Sequence, residues 1–391
     1  MLNTSLSPWP SFTQEEADAV SKVLLSNKVN YWTGTECREF EKEFAAFAGT
    51  QYAVALSNGT LALDVALKAM GIGAGDDVIV TSRTFLASAS CIVTAGANPV
   101  FADVDLNSQN ISAETIKAAL TPNTKAIIVV HLAGMPAEMD GIMDLAKEHD
   151  LWVIEDCAQA HGAKYKGKSV GSIGHVGAWS FCQDKIMTTG GEGGMVTTND
   201  KELWSKMWSY KDHGKSYDAV YHREHAPGFR WLHESFGTNW RMMEMQAVIG
   251  RIQLKRMSEW TARRQAHAAK LAESLSKFAS IRLIEIADYI EHAQYKFYAF
   301  VKPEHLKEGW TRDRIVNELN ARKVPCYQGS CSEVYLEKAF DNTPWRPKER
   351  LKNAVELGDT SLMFLVHPTL TDDEIAFCKE HIEAVLAEAT A

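Results

Sequence analysis

The sequence predicts an α/β protein in which helices cover a mostly parallel sheet, followed by a smaller α+β domain. Short apolar segments alternate with amphipathic segments through residues 51–155, which is the pattern of successive strand–helix units. Several of these apolar segments are continuous runs, as expected for strands buried on both faces. The length of 391 residues exceeds what one hydrophobic core usually supports, so we expect two domains.

The elements follow in order from the N-terminus. Thr13 and Glu16 have the spacing of a capping box, and Val20, Val23 and Leu24 give the next helix an apolar stripe. A second helix is predicted over 36–47. In the alternating region, strands are predicted at 51–56, 77–81, 99–103, 125–131 and 151–155, and helices at 60–70, 85–95, 113–120 and 139–149.

The pattern changes after two further predicted strands at 176–181 and 194–198. Residues 209–235 are polar and aromatic without a clear period, which predicts a long loop. A long helix is predicted over 241–274. The remaining predictions are strands at 281–286, 296–301 and 324–327, a helix over 311–322 and a C-terminal helix from Asp372. We therefore place a large domain at 1–255 and a small domain at 256–391.

Composition excludes several classes of protein. The net charge of −9 and the absence of a Lys/Arg block argue against nucleic-acid binding, and any anionic substrate must be held by local groups. No stretch approaches the roughly 20 apolar residues of a membrane span, and the N-terminal segment lacks the features of a signal peptide. The seven cysteines are scattered, with no CxxC pair. We expect a soluble, cytoplasmic protein with free thiols and no metal site.

Lys185 is the first candidate for chemistry. It lies between an apolar strand and a glycine-rich turn, in SFCQDKIMTTGGEGGM. A lysine amine is a nucleophile only when neutral, and partial burial lowers its pKa. The alternative is a surface lysine in a flexible loop.

Asp156 follows the apolar strand LWVIE. Ligands of open α/β sheets bind outside the carboxyl ends of the strands, and a carboxylate buried there needs a cationic partner. The protonated pyridine nitrogen of pyridoxal 5'-phosphate (PLP) is such a partner. The alternative is that Asp156 caps a following helix.

Two further features lie at the same predicted edge of the sheet. The segment SNGT, residues 57–60, joins a strand to a helix and would expose backbone N–H groups to a phosphate. Phe85 follows another strand end and could stack on a heterocycle. An ordinary helix cap and a core aromatic are the alternatives. The occurrence of all four features at one edge favours a PLP site.

With these residues assembled, the chain resembles the DegT/DnrJ/EryC1/StrS family of PLP-dependent sugar aminotransferases, which have fold type I. The resemblance fades after about Arg264. The motifs that carry it, in family order, are WTGTECREFEKEFAAFAG, ALSNGTLALDVALKAMGIGAGDDVIV, TFLASASCIVTAGANPVFADVD, VVHLAGMPAEMD, VIEDCAQAHGA, SFCQDKIMTTGGEGGMVTTND, KDHGK and FGTNWRMMEMQAVIG.

The resemblance implies a role for each residue beside the cofactor ring. Lys185 would hold PLP as a Schiff base and later move protons. Asp156 would pair with the pyridinium nitrogen. Phe85 would stack on the ring, and Gln159 would lie beside it.

The resemblance also implies a phosphate site shared between two chains. Gly59, Thr60 and Ser180 would hold the phosphate from one subunit, and Asn239 would reach it from the partner subunit of a homodimer. Without the resemblance, Asn239 would be interpreted as the N-cap of the helix predicted to start at Arg241.

Two segments depart from the family pattern. TTGGEGG, at 188–194, is one residue longer than the usual TTGEGG. VPCYQGSCSEVY and MFLVHPTLT differ where the family forms its sugar and nucleotide pocket. The departures concern a turn and the substrate pocket, and they leave the spacing between Ser180 and Lys185 unchanged.

The function implied is a ping-pong transamination. L-Glutamate would leave its amino group on the cofactor, and a nucleotide-linked keto-sugar would then receive it. Family frequency favours a 4-keto-6-deoxyhexose, with or without an N-acetyl group, for O-antigen, capsule or other glycan synthesis. The alternatives are amination of a keto-cyclitol or another carbonyl, a sugar 3-dehydratase and a PLP-binding regulatory protein. Lys185 argues against the dehydratase, because the dehydratases that resemble this chain carry histidine in place of this lysine.

Overall fold

The computed structural model describes residues 6–391, and the structural statements below concern that part of the chain. Its strands are β1 Tyr52–Leu56, β2 Asp77–Thr81, β3 Asn98–Ala102, β4 Thr124–Val130, β5 Trp152–Asp156, β6 Lys164–Tyr165, β7 Lys168–Ser169, β8 Val176–Ser180, β9 Gly194–Thr198, β10 Ile281–Leu283, β11 Ile290–Glu291, β12 Phe297–Val301, β13 Cys326–Tyr327 and β14 Ser361–Phe364. Its helices are α1 Gln14–Leu25, α2 Glu36–Ala48, α3 Gly59–Ala69, α4 Ala87–Thr94, α5 Ala113–Ala119, α6 Met139–Glu148, α7 Lys201–Tyr210, α8 Tyr217–Tyr221, α9 Glu244–Leu275, α10 Arg312–Ala321, α11 Lys352–Thr360 and α12 Asp372–Ala389.

The central sheet has seven strands in the order β1-β9-β8-β5-β4-β2-β3. Strand β9 is antiparallel to both of its neighbours, and the other pairs are parallel. The carboxyl ends of β1, β2, β4, β5 and β8 therefore lie at one edge. The predicted fold class, a mostly parallel sheet covered by helices, is confirmed.

Alternate residues of one strand enter cores on opposite faces of the sheet. Val54 and Leu56 of β1 join the core that includes α3, while Ala53 and Ala55 join the core that includes α2. All four are almost fully buried. This double burial explains why the strands are continuous apolar runs in the sequence rather than alternating ones.

The last third forms a second sheet, antiparallel, in the order β10-β12-β14-β13. Its core includes residues of α10, α12 and the C-terminal part of α9. Helix α9 runs unbroken for 32 residues, with Ala247 in a core of the large sheet and Leu271 in the core of the second one. The division at 255/256 falls inside this helix and remains a proposal.

Two predictions of local structure are wrong in detail. Helix α9 begins at Glu244 rather than at Arg241, because the preceding residues are held by backbone bonds: the Ser57 N–H donates to the Trp240 carbonyl at 3.0 Å. The predicted loop over 209–235 contains the short helix α8. Its Tyr217 ring packs 5.0 Å from that of Trp208, a tertiary contact that leaves no periodic signal in the sequence. The other helices and strands that were not predicted are α7, α11, β6, β7, β11 and β14.

None of the helices within residues 6–391 combines the length and the apolar character needed to cross a membrane.

Candidate active site

Lys185 lies on the hairpin that joins β8 to β9, and its side chain is only 17% exposed. Its Nζ atom is 3.5 Å from Asp184 Oδ1 and 5.5 Å from the centre of the Tyr295 ring. The Trp9 indole N–H donates to the Lys185 carbonyl oxygen at 2.8 Å. The lysine is therefore enclosed by the N-terminal segment and by the residues before β12, unlike a surface lysine in a flexible loop.

Asp156 is the last residue of β5 and is 7% exposed. The Ser88 hydroxyl donates to its Oδ2 at 2.7 Å, and the Ala158 N–H donates to its Oδ1 at 3.1 Å. Burial raises the pKa of Asp156, against the lowering effect of these bonds and of the Lys185 charge. No cation of residues 6–391 lies within ion-pair distance of this carboxylate. The next element is strand β6, so Asp156 is not a helix cap.

The predicted phosphate ligands meet where α3 begins. The Asn58 side chain caps the helix by accepting the Leu61 N–H at 3.0 Å. The N–H groups of Gly59 and Thr60 have no partner within the helix, and they carry the positive end of its dipole. Ser180 lies alongside, so close that a Cβ on Gly59 would be 2.5 Å from the Ser180 Cβ. Asn58 is thus an ordinary helix cap. The N–H groups of Gly59 and Thr60 remain free, and they lie beside the Ser180 hydroxyl.

The residues predicted beside the ring also lie at strand ends. Phe85 is 70% exposed and lies between β2 and α4, so it is not a core aromatic. The Gln159 side-chain oxygen accepts the Ala133 N–H at 2.8 Å, which leaves its NH₂ group available as a donor.

Asn239 lies in an exposed, extended segment. Helix α9 has Met243 as its N-cap, so the alternative role of Asn239 as a cap is excluded. The backbone of the next residue, Trp240, is bonded to Ser57. Contact with a partner subunit stays a prediction.

The arrangement matches the chemical groups of PLP. A buried carboxylate without an ion partner suits a pyridinium nitrogen, and a helix N-terminus with a hydroxyl suits a phosphate. An exposed aromatic side chain suits the face of the ring, and a partly buried amine suits the aldehyde. The roles of the individual residues remain proposals.

Three neighbours of these groups were missed by sequence reasoning. Ser88 stands three residues after Phe85 in the motif TFLASAS, and helical spacing could have indicated it. Trp9 and Tyr295 come from distant parts of the chain, and Trp9 is 176 residues from Lys185. No local pattern could have identified these two.

The longer glycine turn is accommodated in the part of the hairpin that leads into β9. Gly190 and Gly191 have φ angles of +85° and +121°, which favour glycine.

Comparison with known proteins identifies the same family over most of the chain. A model of the DegT/DnrJ/EryC1/StrS aminotransferase family matches residues 10–383. The GDP-perosamine synthase of Escherichia coli O157:H7 is 40% identical over 377 residues, covering 95% of this chain and 96% of that protein. The UDP-N-acetyl-3-dehydro-alpha-D-glucosamine 3-aminotransferase of Acidithiobacillus ferrooxidans is 42% identical over 363 residues, or 91% and 90% of the two chains.

Among solved structures, an aminotransferase from Psychrobacter cryohalolentis is 65% identical and superimposes with a TM-score of 0.96 over 98% of this chain and 99% of that one. The family is PLP-dependent, and the predicted fold type I is confirmed. The chain therefore belongs to the DegT/DnrJ/EryC1/StrS aminotransferase family.

Proposed function

We propose that this chain transfers the amino group of L-glutamate to a nucleotide-linked keto-sugar. The observation that carries the proposal is the presence of a buried carboxylate, Asp156, and a partly buried amine, Lys185, at the same carboxyl edge of the sheet. Transamination needs both groups: a fixed negative charge for the ring nitrogen of the cofactor, and a base that moves a proton at the substrate carbon.

When bound, PLP supplies an electron sink for the bonds at the substrate carbon. The residues of the chain bind the cofactor and hold or move protons. Asp156 would hold a proton on the ring nitrogen, and Ser88 orients the carboxylate through its hydrogen bond at 2.7 Å. Lys185 would accept and return the proton that leaves the substrate carbon during transamination. Gly59 and Ser180 lie where the phosphate would anchor the group.

Relatives support the substrate class. One is named for a GDP-linked product and another for a UDP-linked keto-sugar. Our finer proposal is a 4-keto-6-deoxyhexose, with or without an N-acetyl group, whose product enters O-antigen, capsule or other glycan synthesis. The Acidithiobacillus relative, named a 3-aminotransferase, favours a 3-keto-sugar as the second candidate.

One experiment tests the function and decides the position. The PLP-loaded protein is incubated with L-glutamate and a panel of UDP-, GDP- and dTDP-linked 3-keto- and 4-keto-sugars. Mass spectrometry detects the amino product, and NMR locates the nitrogen. We expect amination of at least one 4-keto-sugar. Amination of 3-keto-sugars alone would favour the second candidate, and failure with every acceptor would contradict the function.

The cofactor lysine is tested separately. Borohydride should bleach the visible absorbance of the PLP-loaded protein, and a tryptic peptide containing Lys185 should gain the mass of a pyridoxyl phosphate. The control is Lys185→Ala, which should form no such adduct. A label on another lysine would contradict the assignment.

A further inference from the structure

Arg264, on α9, carries a buried guanidinium group without a matching anion. The residue is 1% exposed, and the guanidinium carbon lies 5.0 Å from the centre of a Trp9 ring. Nη1 donates to the Tyr295 carbonyl oxygen at 3.4 Å. Nε and Nη2 are buried and have no hydrogen-bond partner among residues 6–391. Burying a charge with donors unsatisfied is costly, so the arrangement calls for a ligand.

The two free donors lie on the same edge of the guanidinium plane. Hydrogens on Nε and Nη2 point in parallel, and this edge can bind both oxygens of a carboxylate at once. The other side of the group is already occupied by the bond to Tyr295. The unfilled edge therefore suits a planar, two-oxygen anion.

Arg264 and Lys185 share two neighbouring residues. Tyr295 touches both cations: its carbonyl oxygen accepts from Arg264, and its ring centre is 5.5 Å from Lys185 Nζ. Trp9 contacts both residues as well, because its ring lies beside Arg264 and its N–H donates to the backbone carbonyl of Lys185. Tyr295 thus contacts the guanidinium and the reactive amine, and Trp9 connects Arg264 with the backbone that carries the amine.

The charges around the edge are mostly positive. Lys296 has its Nζ 4.8 Å from the centre of the Tyr295 ring. Burial, with the charges of Arg264 and Lys185, lowers the pKa of Lys296 to about 8, and Asp184 acts in the opposite direction. The charges of Arg264 and Lys185 therefore both act on Lys296, and Asp184 is the carboxylate that opposes them there.

His367 is a neutral residue that packs on Trp9, next to Arg264. The His367 ring stacks on Trp9 with 6.1 Å between ring centres, and burial lowers its pKa to about 3. His367 is uncharged at neutral pH, so it does not compete with Arg264 for an anion. Burial lowers the pKa of Arg264 to about 9, which still leaves the guanidinium charged at neutral pH.

We propose that Arg264 binds the α-carboxylate of the amino donor through its free Nε/Nη2 edge. This inference deepens the proposed function and rests on it. An amino acid that reacts at Lys185 carries its α-carboxylate one carbon away from the reacting nitrogen. In a nucleotide-linked 4-keto-hexose, the diphosphate is attached across the sugar ring from the keto carbon. A guanidinium that shares its neighbours with Lys185 therefore suits the donor carboxylate better than the nucleotide diphosphate.

The test separates the two half-reactions. The loss of visible absorbance on mixing the PLP-loaded protein with L-glutamate gives the dissociation constant for the donor, and glutarate, which lacks the amine, gives a second binding constant. For Arg264→Met we expect both constants to rise by about tenfold to a hundredfold, as for loss of a charged hydrogen bond. PLP content and amination of the keto-sugar by pyridoxamine-phosphate-loaded protein should be unchanged.

Two variants control for structural damage. Arg263→Met removes the neighbouring, 39% exposed arginine, which faces Asp372 at 3.6 Å, and should bind glutamate normally. Arg264→Lys keeps a cation beside Trp9 but lacks the paired donors, so it should also bind glutarate weakly. If Arg264→Met does not fold, glutarate binding by Arg264→Lys tests the role of Arg264 instead.

Three outcomes would overturn the inference. They are normal glutarate binding by both Arg264 variants, an equal loss in both half-reactions, and a loss confined to the keto-sugar half-reaction, which would assign Arg264 to the diphosphate. None of these touches the proposed function, which fails only if the wild-type protein aminates no keto-sugar.

Discussion

The contact between Gly59 and Ser180 allows a sharp test of the phosphate site. In Gly59→Ala, the new Cβ would lie 2.5 Å from the Ser180 Cβ, 2.9 Å from its Oγ and 3.0 Å from its Cα. Carbon atoms in contact normally stay about 3.5–4.0 Å apart, so the methyl group is roughly 1 Å too close. Rotation of the serine side chain cannot relieve this, because its Cβ and Cα remain in place. The start of α3 must therefore move away from β8.

The displacement has two expected consequences. Overpacking of this kind usually costs about 1–3 kcal/mol of unfolding free energy. Moving the helix N-terminus away from Ser180 also removes at least one donor from the phosphate, and a hydrogen bond to a charged group is worth about 1.5–3 kcal/mol. The dissociation constant for PLP should then rise about tenfold or more.

The assay is a fluorescence titration with PLP, together with urea unfolding of the cofactor-free protein. Gly73→Ala is a matched control, since its Cβ would meet only the Ala95 carbonyl oxygen at 3.7 Å. If Gly59→Ala bound PLP as tightly as the wild-type protein and unfolded at the same urea concentration, the geometric argument would be refuted.

Four further predictions concern the other site residues. Asp156→Ala should retain PLP but lose at least about a hundredfold in turnover, measured by coupled assay, because it loses the charge that holds the ring proton. Burial raises the pKa of Asp156 in the cofactor-free protein, and a bound pyridinium would lower it. PLP affinity should therefore fall as the pH drops from the pKa of the free protein to that of the complex. PLP titrations at several pH values check this, and Asp156→Asn should lose the pH dependence. Phe85→Ala should weaken PLP binding about two- to tenfold, for a stacking contact of about 0.5–1.5 kcal/mol; equal affinity would exclude stacking. If sites are shared between subunits, co-refolding equal amounts of Lys185→Ala and Asn239→Asp should make half of the dimers hybrids with one intact site each, so the mixture should regain roughly a quarter of wild-type activity; no recovery, or a monomer in sedimentation, would reject sharing.

The sequence was sufficient for the large sheet because its signals are local. Strand β5 and the helix that follows β1 each depend on a short run of neighbouring residues, and their observed bounds differ from the predicted ones by one residue. The carboxyl-edge rule then placed Asp156 near the end of β1 without further information.

The parts that could not be predicted depend on contacts between distant segments. Trp9 and Tyr295 reach Lys185 only because the N-terminal segment and the residues before β12 close over the hairpin. Helix α8 is five residues long and depends on aromatic packing against α7. The family resemblance fades at Arg264, and its unpaired donors are evident only in the folded chain, where the side chain is buried.

The antiparallel placement of β9 has a consequence for how the lysine segment can vary in length. A parallel neighbour would have required a crossover, whose length is tied to the position of a covering helix. Here the two strands are joined by a hairpin, and the pairing of Ser180 with Gly194 is kept although the turn has one residue more than is usual in the family. A Cβ added at Gly191 would have no neighbouring atom within 4 Å. Insertions in this turn can therefore accumulate during evolution, or be engineered, without changing the strand register behind the reactive amine.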